Sequence, residues 1–185
     1  MASQVSPTLK TTPSSQLITL AAGCFWGVEL FFRKRYRDNG IVDIKVGYAN
    51  GISSFGKVNY QQVCSGTTNF AECVQISYEP SVLNLKELLQ IFFRMHNPTT
   101  LNAQGPDVGT QYRSAIFTHS EEDNKIALQV KEEMQKTWYP NHQITTIIEP
   151  IRTFYDAEDY HQQYLKKNPS GYECPTHFLR TKPMA

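Results

Sequence analysis

Residues 17–27 read LITLAAGCFWG and place a cysteine where an apolar strand turns into a helix. Residues 17–22 are apolar, partly β-branched and too short for a helix, which indicates a buried strand. Apolar residues follow as far as Phe32, and the basic run RKRYR at 33–37 is typical of the carbonyl end of a helix. The sequence therefore predicts a strand, a glycine turn and a helix, with Cys24 at the junction.

Cys24 is the candidate nucleophile of the chain. A thiol at a helix N-terminus faces free N–H groups, and such positions lower the pKa from about 8.5 into the range of about 3.5–7.5. The flanking glycines and the two aromatic residues that follow favour a reactive site over a buried structural cysteine. We therefore expect a low pKa at Cys24 and alkylation of Cys24 before Cys64 or Cys73.

The 185 residues suit a single domain, predicted at 16–185, preceded by a flexible leader at 1–15 that is rich in Ser, Thr and Pro. The net charge of +1 gives no reason to expect a nucleic-acid partner. No apolar run approaches the roughly 18 residues of a membrane span, and the leader lacks the apolar core of a secretory signal. We expect a cytoplasmic protein, with organellar targeting by the leader left open.

The four cysteines indicate thiols in a reducing compartment, because no secretory signal accompanies them. None forms a C-x-x-C pair, and the five histidines fall singly. We therefore expect neither a metal nor another cofactor.

Periodicity predicts strands and helices mixed in one small domain, which indicates an α+β two-layer sandwich. The predicted strands after the first are 41–48, 72–78, 114–118 and 143–149. The predicted helices after the first are 84–96, capped by Asn84, 121–137 and 156–167. Residues 97–111 lack periodicity, and a loop of that length is usually functional or disordered.

Five sequence blocks resemble those of the A-type peptide methionine sulfoxide reductases, in the family's order. They read GCFWG at 23–27, YQQVCSGTT at 60–68, FAECV at 70–74, GPDVGTQYRS at 105–114 and NPSGYECPTH at 168–177. The last block is similar to the ending of members with one resolving cysteine. The resemblance runs from about residue 17 to about residue 180. It implies a mixed sheet, a ferredoxin-like core and an irregular C-terminal tail.

The resemblance also implies thiol-dependent reduction of methionine S-sulfoxide, in which Cys24 attacks the sulfur and the oxygen is protonated. A carboxylic acid in an apolar pocket suits the proton transfer, because burial raises its pKa. Glu72 leads into an apolar strand and occupies the family's acid position. Tyr60 and Tyr112 occupy the positions of the hydroxyl donors that bind the oxygen.

Phe25 and Trp26 occupy the family's wall for the substrate methyl group, and sulfur packs favourably against aromatic rings. Asp107 matches the residue that engages the substrate backbone. A turn-forming role for Asp107, beside Pro106 and Gly109, is open as well.

Cys174 is the candidate resolving cysteine. It lies in a tail broken by Pro169, Gly171 and Pro175, and a sulfenic acid on Cys24 condenses readily with a second thiol. The resemblance implies that thioredoxin reduces the resulting disulfide.

Cys64 and Cys73 are expected to be small core residues. Cys73 stands where valine is expected in this family, which leaves open a thiol near the site. Protein-bound and free methionine sulfoxide are the expected substrates, and we expect a monomer.

Two other functional classes stay open on the sequence. A cysteine hydrolase would need a histidine base, and candidates exist at 96, 119, 142, 161 and 177, although none lies in a recognisable hydrolase motif. A module that binds methionine sulfoxide without catalysis would use the same aromatic wall.

Overall fold

A computed structural model describes residues 3–185, in which one mixed sheet carries the helices. The elements in chain order are β1 Gln16–Ala22, α1 Phe25–Arg35, β2 Ile41–Ala49, α2 Tyr60–Cys64, β3 Ala71–Tyr78, α3 Leu85–Met95, β4 Ala103–Gln104, β5 Asp107–Val108, β6 Ser114–Thr118, α4 Glu121–Thr137, β7 Ile147–Pro150, β8 Phe154–Asp156 and α5 Tyr164–Lys167. Single 3₁₀ turns form at Ser53–Phe55, Thr110–Tyr112 and Asp159–His161.

The six-stranded sheet has the order β7-β6-β1-β3-β2-β8, and β4 and β5 form a separate small hairpin. The β6–β7 pair is parallel and the other neighbours are antiparallel, so the sheet is mixed. Both edge strands are short, which limits pairing with other chains. The predicted α+β class and mixed sheet are confirmed.

The main core lies between one face of the sheet and helices α1, α3 and α4. Alternate residues of β1, Ile18 and Leu20, face this core together with Phe32 of α1 and Phe92 of α3. All eight residues of β3 are buried, because β3 is central and covered on both faces. Burial on both faces also explains why the first strand reads as a continuous apolar run.

The opposite face of the sheet carries a smaller buried cluster of alanines, Cys73 and Phe117, and the start of the chain covers part of this face. The Ser6 N–H donates to Gln75 Oε1 at 2.8 Å, and the Phe154 N–H donates to the Ser3 carbonyl at 2.7 Å. Residues 3–15 contain no helix or strand. The predicted division between leader and domain stays a prediction.

Side-chain caps fix the starts of the longer helices. Asn84 accepts from the Glu87 N–H, and Ser120 accepts from the Asp123 N–H, so each satisfies a free donor of the first turn. The predicted strand 114–118 and helix 121–137 match the structure, and the predicted cap at Asn84 is confirmed.

The predicted helix at 156–167 is wrong. Phe154–Asp156 pairs with β2 as strand β8, and a 3₁₀ turn follows before the four-residue α5. Gln163 has a left-handed backbone with φ of 53°, which a continuous helix cannot include. The predicted strand at 143–149 is shorter and later, at Ile147–Pro150, and the predicted loop at 97–111 contains the β4–β5 hairpin.

The chain after Lys167 forms neither helix nor strand, yet its end is attached to the helices. The N–H groups of Phe178, Arg180 and Met184 donate to carbonyls of α3 and of Trp138. The tail is therefore fixed at its far end and enters the site region between Asn168 and His177. Within residues 3–185, every helix is too short or too polar to cross a membrane.

Candidate active site

Cys24 is the N-cap residue of α1, as the sequence predicts. Gly23 has a φ of +89°, and a Cβ there would lie 2.6 Å from Gln104 Cβ, so both the turn and the packing require glycine. Cys24 is 6% exposed, and its sulfur faces the free N–H groups of Trp26 and Gly27. The turn thus presents a nearly buried thiol at the first turn of a helix.

The predicted low pKa of Cys24 is wrong for this resting structure. Burial raises the pKa of the thiol well above its usual value, and the nearby Glu72 carboxylate raises it further. The N–H groups of Trp26 and Gly27 lower the pKa, but their effect is smaller than that of burial. Cys24 therefore rests as a neutral thiol and needs a proton acceptor when it reacts.

Glu72 lies at the same helix end as Cys24. It belongs to β3, is 1% exposed, and its Oε2 accepts the Phe25 N–H at 3.2 Å. Burial raises the pKa of Glu72 to about 8, against a smaller lowering by the Phe25 N–H. At neutral pH the side chain is mostly a carboxylic acid, as the sequence predicts for a proton donor.

Tyr60 and Tyr112 lie half-buried beside this acid. Burial raises the pKa of both hydroxyls, and Glu72 raises both further, so both stay protonated over the physiological range. Each can therefore donate a hydrogen bond to an oxygen in the site. Tyr60 begins α2, where the Asn59 side chain caps the helix and the Glu158 carboxylate accepts the Tyr60 N–H at 2.8 Å.

Phe25 and Trp26 form an aromatic wall on the first turn of α1. The Trp26 indole N–H donates to His161 Nδ1 at 2.9 Å, and its ring stacks on Tyr164 with centroids 3.9 Å apart. Phe25 is buried, with its ring 5.2 Å from that of His161. The wall is thus held from behind by the segment that follows β8.

Asp107, on β5, connects the site to the tail. Its Oδ2 accepts the Tyr172 hydroxyl at 2.9 Å, and its charge acts on both Cys24 and Glu72. Burial raises the pKa of Asp107, and the Tyr172 hydroxyl partly offsets this. The side chain is partly exposed, so it remains accessible to a bound peptide.

Cys174 is enclosed behind the β4–β5 hairpin. It is 1% exposed, its thiol donates to the Gln104 carbonyl at 3.6 Å, and its sulfur lies 3.2 Å from Thr176 Oγ1. Thr176 also donates to Gln104 Oε1 at 2.6 Å. Since Gln104 packs against Gly23 on its other side, it contacts both the Cys24 turn and the Cys174 turn. All four cysteines are free thiols.

The two remaining cysteines differ in position. Cys73 is buried on the opposite face of the sheet, where its thiol donates to the Gly47 carbonyl at 3.4 Å. Its neighbour Glu72 faces the site, because successive strand residues point to opposite faces. The expected core position of Cys73 is confirmed. Cys64 is half-buried beside Tyr60, so the expectation of a core position is wrong for it.

The structure brings together the residues predicted at the site and adds several to which the sequence assigned no role in a reductase. Glu72 raises the pKa of Cys24, Tyr60 and Tyr112, and Asp107 raises the pKa of Cys24, Glu72 and Tyr112. The additional residues are Glu158, His161, Tyr164, Tyr172 and Gln104. Glu158, His161 and Tyr164 lie in the segment 156–167, which the sequence pattern predicted to be one helix although most of it is not α-helical.

A family model described as peptide methionine sulfoxide reductase matches residues 16–183. The chain belongs to the peptide methionine sulfoxide reductase family. A peptide methionine sulfoxide reductase of Saccharomyces cerevisiae is 56% identical over 185 residues, covering 97% of this chain and 99% of that relative. Members of the family are oxidoreductases, so the chain is an enzyme, and neither the hydrolase nor the binding module is supported.

Solved structures of a yeast protein agree with this assignment. Mxr1 from Saccharomyces cerevisiae in reduced form superposes with a TM-score of 0.91 at 56% identity, over 96% of this chain and 99% of that chain. Mxr1 in complex with Trx2 superposes with a TM-score of 0.68 at 43% identity, over 96% and 99% of the two chains.

Proposed function

We propose that this methionine sulfoxide reductase acts on the S epimer of the sulfoxide, in proteins and as the free amino acid, with Cys24 as nucleophile and Glu72 as acid. The observation that carries the proposal is the shared position of both groups at the first turn of α1, where Glu72 binds the Phe25 N–H and raises the pKa of Cys24. A nucleophile for the sulfur and a neutral acid for the oxygen thus lie side by side.

The reductive step transfers the sulfoxide oxygen to Cys24. Glu72 gives its proton to the oxygen, the Cys24 sulfur attacks the substrate sulfur, and the thiol proton restores Glu72. The hydroxyl group then passes from the substrate sulfur to the Cys24 sulfur while the substrate S–O bond and the new S–S bond break. Methionine leaves and Cys24 becomes a sulfenic acid, so atoms, electrons and protons balance. Tyr60 and Tyr112 donate hydrogen bonds to the oxygen as its negative charge grows, which stabilises the transition state.

The aromatic wall supplies the selectivity for the S epimer. With the methyl group against Phe25 and Trp26, the oxygen of this epimer points to Glu72 and the tyrosines. The mirror epimer would point its oxygen at the wall, where no donor meets it, and such mismatches cost about 10⁴ in discrimination. Asp107 is proposed to bind the substrate backbone.

Cys174 is proposed to resolve the sulfenic acid. Its thiol condenses with the Cys24 sulfenic acid, which releases water and leaves a Cys24–Cys174 disulfide. Thioredoxin then reduces this disulfide by thiol exchange. The Mxr1–Trx2 complex supports thioredoxin as the partner. Cys174 must first leave its contacts with Gln104 and Thr176.

The wider assignments are also proposals. The unit β1–α1–β2–β3–α3–β6, with the strand order β6-β1-β3-β2, supports a two-layer sandwich with a ferredoxin-like core. We propose a monomer that repairs oxidised proteins in the cytoplasm, with residues 3–15 as a leader that precedes the domain.

Turnover with dithiothreitol on each separate epimer tests the proposed function. The wild type should form methionine from the S-sulfoxide, and Cys24→Ser should form none. Comparable rates on both epimers, or methionine formed by Cys24→Ser, would contradict the proposal.

A further inference from the structure

Helix α1 contains a buried carboxylate that the proposed chemistry does not use. Glu29 lies one turn after Trp26 and is 1% exposed. A buried charge is costly unless it is paired and hydrogen-bonded, so its partners indicate why it is there.

Both oxygens of Glu29 have a partner. Oε1 accepts from Arg33 Nε at 2.9 Å, and Oε2 accepts the backbone N–H of Gln163 at 2.9 Å. Arg33 in turn donates through Nη2 to the Ile44 carbonyl at 2.6 Å. Glu29 therefore joins helix α1 to the turn that precedes α5 through Oε2, and Arg33 compensates the buried charge at Oε1.

Gln163 has a backbone conformation that needs such support. Its φ is 53°, in the left-handed region that residues with a side chain rarely adopt. Conformations of this kind persist only where surrounding contacts hold them. The Gln163 carbonyl accepts the N–H groups of Lys166 and Lys167 at 3.1 Å each, and its own N–H is held by Glu29.

The residues on either side of Gln163 are those that hold Trp26. His161 accepts the indole N–H at 2.9 Å, and Tyr164 stacks on the indole ring. A shift of Gln163 would therefore move both supports of the ring. Trp26 and Glu29 lie on the same helix, so α1 contacts the 161–164 segment twice. Trp26 contacts His161 and Tyr164, and Glu29 binds the Gln163 N–H.

We infer that Glu29 is a positioning residue for the substrate methyl pocket, because it fixes the turn at Gln163 and so holds His161 and Tyr164 against Trp26. This inference rests on the proposed function, in which Trp26 forms the wall of that pocket. It assigns to Glu29 an effect on substrate binding beyond helix stability.

The test uses the full chain in a Trp138→Phe background, where Trp26 is the one remaining tryptophan of two. Dithiothreitol-driven turnover of a methionine S-sulfoxide peptide gives KM and kcat, and acrylamide quenching gives the exposure of Trp26. Glu29→Ala should raise KM by up to about tenfold, the upper limit set by the free energy of the one charge-assisted hydrogen bond lost at Gln163, with little change in kcat. Quenching of Trp26 should rise with it.

Three further variants separate positioning from stability. Glu29→Gln keeps an acceptor for the Gln163 N–H, so its KM should equal that of the wild type. Glu29→Asp keeps the charge but is one methylene too short to reach the Gln163 N–H, so it should raise KM as Glu29→Ala does. Glu29→Asp replaces Glu29→Ala in the test if the alanine variant does not fold. Arg33→Gln removes the ion pair but leaves the Gln163 contact, so it should lower Tm and leave KM within about twofold.

Unchanged KM and unchanged quenching in Glu29→Ala and Glu29→Asp would overturn the inference. An equal rise of KM in Arg33→Gln would also overturn it, since helix stability would then explain the effect. If the wild type does not reduce the sulfoxide, the proposed function fails instead, and the quenching data alone decide the role of Glu29.

Discussion

Replacing Glu72 by glutamine tests the acid of the proposed reaction. The structure raises the pKa of Glu72 from 4.5 to about 8. At pH 7 about nine-tenths of the side chains then carry the proton, whereas about 0.3% would do so at a pKa of 4.5, a roughly 300-fold gain in active acid. Glutamine has the same shape but cannot transfer this proton.

We expect Glu72→Gln to slow the reductive step by about 10²–10⁴, the usual contribution of a general acid. The assay is rapid-quench formation of methionine in one turnover without reductant, across pH 6 to 10. The wild-type rate should be flat at low pH and fall above about pH 8, because the proton is lost there. The variant should be slow without this fall.

Glu158→Gln is the matched control. It makes the same isosteric change at a carboxylate that binds the Tyr48 hydroxyl and the Tyr60 N–H but is not proposed to reach the substrate oxygen. It should slow the step by less than about tenfold. A Glu72→Gln rate equal to the wild-type rate, or an unchanged fall above pH 8 in this variant, would refute the reasoning.

Three further predictions concern Glu72, the two site tyrosines and the reactivity of the thiols. At pH 8, the free energy of unfolding of Glu72→Gln should exceed that of the wild type by up to about 5 kcal/mol. This gain should vanish near pH 4.5, and urea unfolding of both proteins at pH 8 and at pH 4.5 measures it. The sign follows because the folded wild type keeps a proton that its unfolded chain loses between these pKa values. Tyr60→Phe and Tyr112→Phe should each slow the reductive step about tenfold, and the double variant should slow it far more. A double variant that is no slower than either single variant would contradict the proposal that both hydroxyls bind the oxygen. The structure reverses the alkylation order expected from the sequence: iodoacetamide should label Cys64 of the resting enzyme before Cys24, because Cys64 alone among the four thiols is not buried. Peptide mapping that finds Cys24 labelled first would contradict this reasoning.

The sequence predicted the fold where local pattern and tertiary context agree. The glycine turn before Cys24, the cap at Asn84 and the amphipathic helix α3 are local signals that packing reinforces. The segment 156–167 misled because its apolar spacing suits a helix. Pairing with β2 and the left-handed backbone of Gln163 are long-range and backbone effects that spacing does not encode.

The candidate site was predictable as a set of residues but not in its electrostatics. The position of Cys24 at a helix end follows from sequence, whereas the raised pKa follows from burial and from Glu72, which is distant in the chain. The contacts that orient Trp26 and enclose Cys174 also come from distant segments. Sequence spacing therefore indicated the nucleophile but not its resting protonation.

One turnover without reductant, on a methionine S-sulfoxide peptide, tests the central claim most directly. The disulfide state of the enzyme is read by mass spectrometry of peptides, and the methionine formed is counted. The wild type should form one methionine per chain and a Cys24–Cys174 disulfide, which requires the tail to bring the two Cα atoms within about 7 Å. Cys174→Ser should still form one methionine but should not cycle with thioredoxin. A disulfide from Cys24 to Cys64, or normal thioredoxin-driven cycling of Cys174→Ser, would contradict the account.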